Sequence, residues 1–260
     1  MDKDEFGYLY SRLDDHSRRA DRGEIAVSGF LSPRELRFGC EYLTAGRKSF
    51  VVFGGYEGAE RCRIYQIPEY MEGVNSPKEL LTYGVDTEIE VIRIIGSGYR
   101  LFTHRDFLGS LLALGLERAV LGDIVVNNDG YSAYVFCDRK ISEFIIGECE
   151  RIGNDKVRCE KTSVGSDFSV RRKTEAISDT VSSPRLDCIV GALVSVSREK
   201  AKEIVLNGYC EVDFETEQRC DRMIRAASLI SIRGHGRFRI ISVDEKTKKG
   251  RIRLLAEKFI

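Results

Sequence analysis

The sequence predicts an α+β protein built from more than one compact unit. Its 260 residues exceed the length of one average domain. Hydrophobic residues make up 42% of the chain and charged residues 32%, which is typical of a soluble protein with real cores. Between residues 88 and 160, hydrophobic periods of about 3.6 and of 2 alternate in the order strand, helix, strand, strand, helix, strand.

Residues 1–75 predict a small α/β domain. Apolar side chains recur at helical spacing near its start, at Phe6, Leu9, Tyr10 and Leu13. A second helix is expected after Ser32, a good N-cap, because Pro33 suits a first turn and Glu35 places a negative charge there. The strand-like stretches "SFVVFGGY" and "CRIYQIP" flank a polar turn and predict a hairpin.

Residues 76–162 predict a split βαβ plait, the ferredoxin-like or RRM-like architecture. The strands are expected in "EIEVIRII", "DIVVN", "YSAYVFC" and "KVRCEKT", and the helices in "HRDFLGSLLALG" and "RKISEFIIGECERIG". In the first of these helices the side chains expected to point inward are Phe107, Leu108, Leu111, Leu112 and Leu114.

The aromatic side chains of the predicted plait are candidates for base stacking, as in RNA-recognition motifs. Strand alternation places Tyr134 and Phe136 on one face and Tyr131 on the other, and "EIEVIRII" offers no exposed ring. Base stacking is therefore no better supported here than docking onto ribosome, tRNA or protein.

Residues 163–183 are rich in Ser and Thr and predict a linker or connecting strand, which ends at a boundary before Pro184. In residues 184–260, "RLDCIVGAL" predicts a short helix, and a second helix is expected between a cap at Ser197 and a left-handed Gly208. Four strand-like stretches follow: "YCEVDF", "LISIRG", "GRFRIISV" and "GRIRLLAEKF". In the third stretch Arg alternates with apolar residues, so one face is expected to be basic and the other buried.

The formal net charge is zero, but its distribution is uneven. Residues 184–260 contain 16 Lys and Arg against 11 Asp and Glu, whereas residues 1–183 contain 25 against 30. A basic C-terminal end indicates a polyanionic partner, and nucleic acid is favoured over a membrane because no lipidation signal or apolar anchor accompanies it. Charge alone leaves a solvated basic surface as an equal alternative.

The eight cysteines contain no CxxC pair, and no His lies at ligand spacing from them. The N-terminal segment is acidic and does not have the pattern of a secretion signal. The thiols are therefore interpreted as reduced and mostly buried, in a cytoplasmic protein that needs no metal or cofactor. Structural zinc is a weaker alternative.

The C-terminal unit resembles the alpha-L RNA-binding motif of ribosomal protein S-four, pseudouridine synthases and tyrosyl-tRNA synthetase. The likeness is carried by Arg185-Leu186-Asp187, Ser197-Arg198 with Ala201, Gly208 before a strand at Val212, Ile232-Arg233-Gly234, and Gly236-Arg237-Phe238. In that family two angled helices present basic side chains to structured RNA. The resemblance implies RNA contacts by Arg185, Ser197, Arg198, Lys200, Lys202, Arg233, Arg237 and Arg239.

This sequence departs from the alpha-L pattern at two turns. Members commonly have Val-Asn-Gly after the first strand and Gly-Asp further on, whereas here the chain has Val212-Asp213-Phe214 and Ala227-Ser228. Both helices are unaffected by these changes.

The stretches "FGGYEGAERCR", "IPEY" and "HRDFLGSLLALGLERAVLGDIVV" resemble segments of the bacterial YlmH family. Its members join an N-terminal domain, a central plait resembling an RNA-recognition motif and a C-terminal alpha-L module. We expect a monomeric, non-enzymatic protein. The resemblance implies that it docks on structured rRNA or tRNA. It also implies a place on the large ribosomal subunit, in quality control of stalled peptidyl-tRNA complexes.

The sequence contains no recognisable set of catalytic side chains. "HRDF" echoes a kinase catalytic loop, but Leu111 stands where that loop has a magnesium-binding Asn. The three histidines, His16, His104 and His235, have no visible nucleophile partner. Two alternatives remain open: an RNA-modifying or tRNA-hydrolysing enzyme with a catalytic N-terminal two-thirds, and an adaptor in cell division.

Overall fold

A computed structural model describes residues 6–71, 73–165, 168, 170, 174–243 and 250–259. The chain forms two compact units, Met1–Val170 and Arg171–Ile260. The boundary between them falls within the predicted linker 163–183, while the finer division into three domains stays a prediction. Helices and strands are mixed in both units, which confirms the α+β class.

The first unit begins with a helical layer on a small sheet. Its elements are α1 (Gly7–Ala20), β1 (Ala26–Val27), α2 (Pro33–Ala45), β2 (Phe50–Phe53), β3 (Arg63–Gln66), a 3-10 turn (Glu69–Met71) and α3 (Pro77–Thr82). The strands pair antiparallel in the order β1-β3-β2. Helix α2 begins as predicted, because the Ser32 hydroxyl accepts a hydrogen bond from the Glu35 N–H at 3.3 Å and the Glu35 carboxylate accepts one from the Ser32 N–H at 2.7 Å.

The same unit contains the predicted plait. Its elements are β4 (Ile89–Gly96), α4 (His104–Ala113), a 3-10 turn (Arg118–Val120), β5 (Leu121–Val126), β6 (Ser132–Asp138), a 3-10 turn (Arg139–Ile141), α5 (Ser142–Glu148), β7 (Arg151–Ile152) and β8 (Asp155–Thr162). The strand order is β5-β6-β4-β8-β7, with every neighbouring pair antiparallel. Strands β5, β6, β4 and β8 lie side by side in the order that a split βαβ plait requires.

Helices α4 and α5 cover one face of this sheet. Phe107 and Leu111 of α4 and Ile145 of α5 are completely buried, and they belong to one core cluster with side chains of β4 and β6. Leu112 was expected to point inward, but it is 38% exposed. Each helical residue advances by about 100°, so the stripe that holds Phe107 and Leu111 turns Leu112 away from the sheet.

The opposite face of the plait is also covered. Tyr134 and Phe136 share it, as predicted, and Phe136 is completely buried. The ring of Tyr56, from the loop between β2 and β3, lies 4.8 Å from the Phe136 ring, and the Phe168 ring lies 5.5 Å from that of Tyr134. At Gly55 a Cβ atom would come within 2.5 Å of the Phe136 ring, so glycine is needed for this close approach.

The second unit is one sheet with two helices packed on it. Its elements are β9 (Thr174–Val181), α6 (Leu186–Leu193), α7 (Arg198–Leu206), β10 (Cys210–Val212), β11 (Glu215–Thr216), β12 (Leu229–Ile232), β13 (Gly236–Ser242) and β14 (Ile252–Phe259). The order is β11-β10-β12-β13-β14-β9, antiparallel throughout. Strand β9 lies in the segment predicted as a linker or connecting strand, and it pairs with β14 along its whole length.

Two further properties concern the described residues. No helix among them combines the length and apolar character needed to cross a membrane. The eight cysteines are unbridged, and no cluster of three or more metal-ligating side chains occurs in the part of the chain that the structure describes.

Candidate nucleic-acid interface

The short helices α6 and α7 form one layer of the second unit. Ile189 and Val190 of α6 and Ala201 and Val205 of α7 are completely buried in the core that they share with the sheet. Helix α7 begins at the predicted cap, where the Ser197 hydroxyl accepts a hydrogen bond from the Lys200 N–H at 3.3 Å. It ends before Gly208, whose φ of +69° is the left-handed conformation expected after a helix. Local signals in the sequence thus fix both ends of this element.

A buried carboxylate joins the two helices. Asp187, in the first turn of α6, has no exposed surface. Arg185 donates to its Oδ1 from Nε at 3.1 Å and to its Oδ2 from Nη2 at 3.3 Å. Arg198, the first residue of α7, donates to the same Oδ2 from Nε and Nη2, each at 3.3 Å. Two of the predicted RNA-binding guanidinium groups are therefore held side by side by one anion.

The charges of this cluster favour its ionised form. Burial disfavours a charged Asp187, but the hydrogen bonds from Arg185 and the positive charge of Arg198 outweigh it and lower the pKa of the carboxyl. The hydrogen bond to Asp187 in turn raises the pKa of Arg185. The Arg185 side chain is 35% exposed and that of Arg198 is 55% exposed. Both guanidinium groups are thus anchored on their inner side and open to solvent on their outer side.

A long loop closes the N-terminal end of α6. The Leu186 and Asp187 N–H groups donate to the Arg222 and Cys220 carbonyls at 2.9 and 3.1 Å. Because these first-turn donors are already satisfied, the helix end itself is not available to a phosphate. The guanidinium groups are left as the anion-binding groups at this site.

The loop is held by a second buried carboxylate, Glu217. Its oxygens accept hydrogen bonds from Arg219 Nη2 at 3.1 Å and from Arg222 Nη1 at 2.8 Å. Burial opposes ionisation of Glu217, but these arginines outweigh that effect and lower its pKa to about 2. Glu217 is buried inside the unit, so this acidic side chain does not reach the surface.

The remaining predicted residues of α7 differ in their surroundings. Lys200 forms an ion pair with Glu203 at 2.8 Å, which partly neutralises it. Lys202 is exposed, and no carboxylate among the described residues forms an ion pair with it. Arg198 and Lys202 lie four residues apart on one helical face, so Lys202 extends the basic surface of the Asp187 cluster.

The predicted arginines of the sheet each lie over an aromatic ring. Arg233 is 5.5 Å from the centroid of Tyr209, Arg237 is 5.6 Å from that of Phe214, and Arg239 is 5.5 Å from that of Phe259. Such contacts hold a guanidinium group flat on a ring while one of its faces stays accessible.

These arginines do not join the helical group. On β13, Phe238 and Ile240 are buried beneath α6 and α7, so alternation turns Arg237 and Arg239 to the other side of the sheet. Arg237 and Arg239 therefore lie on the face of the sheet opposite to the helices, while Arg233 follows the end of β12. We refer below to the helical group, Arg185, Ser197, Arg198, Lys200 and Lys202, as the helix-pair surface.

Two carboxylates that organise the site were missed in the sequence as functional residues. Asp187 was noted only as part of the alpha-L likeness, although an acid two residues after an arginine at a helix start indicates an ion pair. Glu217 has Arg219 two residues away and Arg222 five residues away, but its burial is recognisable only when the loop is folded.

A plait followed by a sheet with two packed helices, which present the guanidinium groups of Arg185 and Arg198 to solvent, fits an RNA-binding protein. Comparison with known proteins agrees with this class. Residues 85–166 match the family model described as "Putative RNA-binding domain in YlmH", which covers the plait. The chain is also 28% identical over 257 residues to the "Ribosome-associated protein quality control protein P2" of Bacillus subtilis (strain 168), across 98% of this chain and 96% of that protein.

These two matches confirm the resemblance to the YlmH family. A solved structure, the "Cell division protein ylmH from Streptococcus pneumoniae", is 18% identical and superposes with a TM-score of 0.49, over 62% of this chain and 90% of that one. That similarity is too low to support a further conclusion.

Proposed function

We propose that this protein is a non-enzymatic RNA-binding protein that docks on structured rRNA or tRNA through its helix-pair surface. The observation that carries the proposal is the Asp187 carboxylate, which is buried and fixes Arg185 and Arg198 next to each other at the joint between α6 and α7. Guanidinium groups bind phosphates with little dependence on base sequence, and two of them in a fixed array select for the shape of a folded RNA.

Fixing these side chains before binding has an energetic consequence. A flexible arginine loses rotamer freedom when it contacts a phosphate, which costs roughly 0.5–1.5 kcal/mol per side chain. Arg185 and Arg198 are already ordered by Asp187, so part of that loss occurs on folding and not on binding. The free energy of RNA binding is more favourable by the corresponding amount.

The setting of this activity is proposed from the relative. The Bacillus subtilis protein is named for ribosome association and protein quality control, and the similarity spans nearly the whole of both chains. We place the present protein in the cytoplasm, as a monomer on the large ribosomal subunit, where it handles stalled peptidyl-tRNA complexes. In this setting the helix-pair surface holds RNA and leaves its nucleosides and ester bonds unchanged.

The proposal is tested by reversing charge on the helix-pair surface. Arg198→Glu combined with Lys202→Glu is expected to lower co-sedimentation with large ribosomal subunits at least tenfold, because two phosphate contacts are replaced by repulsion. The binding of the double variant is also expected to depend less steeply on salt concentration, since fewer counterions are released.

A control separates local contacts from overall charge. Lys78→Glu combined with Lys140→Glu changes the net charge by the same amount at two exposed lysines of the first unit. This control is expected to bind like the unmodified protein. Equal binding by all three proteins would refute docking through the helix-pair surface.

A further inference from the structure

The first unit contains a cavity that RNA docking by α6 and α7 does not use. It lies between α1, the segment before α2 and the 3-10 turn before β5, and its volume is about 400 Å³. This volume falls in the range of small-molecule sites. Leu9, Leu13 and Phe30 supply apolar parts of its wall. The cavity can therefore hold an organic molecule and not only an inorganic ion.

The charged part of the wall is strongly positive. Three guanidinium groups, those of Arg12, Arg61 and Arg118, line the cavity together with a single carboxylate, that of Glu35. The Glu35 carboxylate is already occupied, because it accepts the hydrogen bond from the Ser32 N–H at 2.7 Å. The wall thus has an excess of positive charge that a bound anion would neutralise.

Arg61 is built into this wall as a rigid element. Its guanidinium group donates to the carbonyls of Leu121 at 2.9 Å, Phe30 at 3.0 Å and Arg118 at 2.8 Å. These acceptors are neutral, so its charge is not balanced by them. Burial and, to a smaller extent, the neighbouring Arg118 lower the pKa of Arg61 to about 10, although Glu35 and Asp123 act in the opposite direction.

Two polar atoms of the wall are buried without a hydrogen-bond partner. They are Nδ1 of His16 and Nη1 of Arg118, and both side chains line the cavity. Buried polar atoms in folded proteins are almost always paired, and exceptions call for an explanation such as a ligand. Arg118 Nη1 can only donate, so the group that satisfies it must offer an acceptor oxygen.

The mouth of the cavity carries an aromatic ring. Tyr8 is 77% exposed and lines the cavity, and the Arg12 guanidinium lies 5.7 Å from its ring centroid. An exposed tyrosine beside an arginine is a surface on which a nucleobase can stack.

We propose that this cavity binds a nucleoside monophosphate, with the phosphate against Arg118 and His16 and the base on the ring of Tyr8. The phosphate belongs either to a free nucleotide or to the 5′ end of an RNA strand, since both present the same group. The inference does not depend on the helix-pair surface, because none of the residues that carry it lies in the second unit.

Calorimetric titration of the full-length protein tests the site. Adenosine 5′-monophosphate is expected to bind at least tenfold more tightly than adenosine, because the cations recognise the phosphate. Comparable binding of both, or no binding of the nucleotide at millimolar concentration, would overturn the proposal. A 5′-phosphorylated tetraribonucleotide and its 5′-hydroxyl counterpart distinguish the two sources. If the phosphorylated strand binds more tightly than both its 5′-hydroxyl counterpart and the mononucleotide, the site is assigned to RNA ends; any other order assigns it to free nucleotide.

Three variants assign the roles of the wall. Arg118→Met is expected to weaken binding of both the nucleotide and inorganic phosphate at least tenfold. Tyr8→Ala is expected to weaken binding of the nucleotide and to leave that of inorganic phosphate unchanged. Arg18→Met, an exposed position of α1 outside the cavity wall, is the control and is expected to bind normally.

A second cationic position provides an alternative variant if the first one misfolds. The melting temperature of Arg118→Met is compared with that of the unmodified protein, and if the variant does not fold, Arg12→Met at the mouth takes its place with the same expected direction. Unchanged nucleotide binding in a folded cationic variant would show that the cavity is not a phosphate site.

Discussion

A carboxylate in the first turn of α6 determines how two arginines are presented. Asp187 is completely buried, and both Arg185 and Arg198 donate hydrogen bonds to it. A buried charge is tolerated only when it is paired, and here each of its partners has an open outer face. The carboxylate thus acts as a positioning residue for the helix-pair surface.

Replacing the Asp187 carboxylate distinguishes the positioning of the two arginines from the effect of net charge on RNA binding. Asp187→Asn makes the protein more positive, so charge alone predicts tighter binding of RNA. Our account instead predicts about five- to tenfold weaker binding, because both arginines lose their anchor and must be ordered by the RNA itself. Filter binding at fixed salt with a structured rRNA fragment measures the difference.

The control for this variant is Glu211→Gln, which changes the net charge equally at an exposed residue of β10. It is expected to bind slightly more tightly or equally. If Asp187→Asn binds as tightly as that control, positioning by the buried carboxylate is excluded.

The lowered pKa of Glu217 leads us to expect a specific response of the second unit to acid. Its pKa in the folded protein is about 2, below the ordinary glutamate value of 4.5, so it contributes stability above pH 4.5 that is lost as the pH falls toward 2. The shift corresponds to roughly 3 kcal/mol. Hydrogen-exchange protection factors of the Leu186 and Asp187 amides, which donate to the loop, are expected to fall over this range. In Glu217→Gln they should be lower at neutral pH and should fall less steeply with acid, because only Asp187, whose pKa is also lowered, still contributes. An unchanged pH dependence would contradict the assignment.

At the two turns that depart from the alpha-L sequence pattern, residues with a Cβ atom adopt left-handed backbone angles. Asp213, Phe214 and Ala227 have φ values of +53°, +69° and +65°, in the region that favours glycine. These turns are therefore formed with some strain. Phe214 is partly compensated, because its ring lies beneath Arg237.

Ala227 has no such compensation, so its replacement by glycine is expected to stabilise the protein. Ala227→Gly is expected to raise the free energy of unfolding by about 0.5–1 kcal/mol, since relief of left-handed strain exceeds the entropy cost of glycine. The neighbouring Ala226→Gly, where φ is not positive, is expected to lower it. Denaturant unfolding followed by circular dichroism measures the free energy of unfolding of both variants. Equal changes in the two variants would contradict backbone strain at Ala227.

At the scale of elements, both faces of the plait are covered by other parts of the first unit. One face is covered by α4 and α5, and the other by Tyr56 and Phe168. The rings of Tyr134 and Phe136 are used in packing within the first unit. We expect any contact of this domain with RNA to be made by its edges and loops.

This arrangement predicts that stability and RNA affinity respond separately. Tyr134→Ala is expected to lower the free energy of unfolding by about 2–3 kcal/mol through lost packing, and to change RNA affinity less than twofold. Parallel measurements of unfolding and of binding by the folded protein test this. Loss of affinity without loss of stability would show that the ring contacts RNA.

The order of elements could be predicted from the sequence because its signals are local. Examples are the cap at Ser32, the cap at Ser197 and the alternation along β13. What covers each sheet face could not be predicted in the same way. The contact between Tyr56 and Phe136 joins residues 80 positions apart, and Leu112 shows that an apolar helical residue need not face the sheet.

For the candidate site, sequence reasoning identified the basic residues but not their arrangement. Their charge and spacing are visible in the sequence, whereas the division between two faces of the sheet depends on which side α6 and α7 cover. The buried partners Asp187 and Glu217 likewise become apparent only when the chain is folded.

At the scale of the whole molecule, a net charge of zero conceals a basic C-terminal part. The excess of positive charge in residues 184–260 attracts RNA over distances of about a Debye length, roughly 8 Å at physiological salt. In our proposal, the fixed array at the joint of α6 and α7 then determines which RNA shape is held. Arg237 and Arg239 lie on the opposite face of the sheet, against the rings of Phe214 and Phe259.

The most direct test is cryo-electron microscopy of the full-length protein bound to large ribosomal subunits. We predict that Arg185, Arg198 and Lys202 lie against phosphates of rRNA or tRNA, with Asp187 still between the two arginines. A complex in which α6 and α7 face solvent while another surface contacts the subunit would contradict the account.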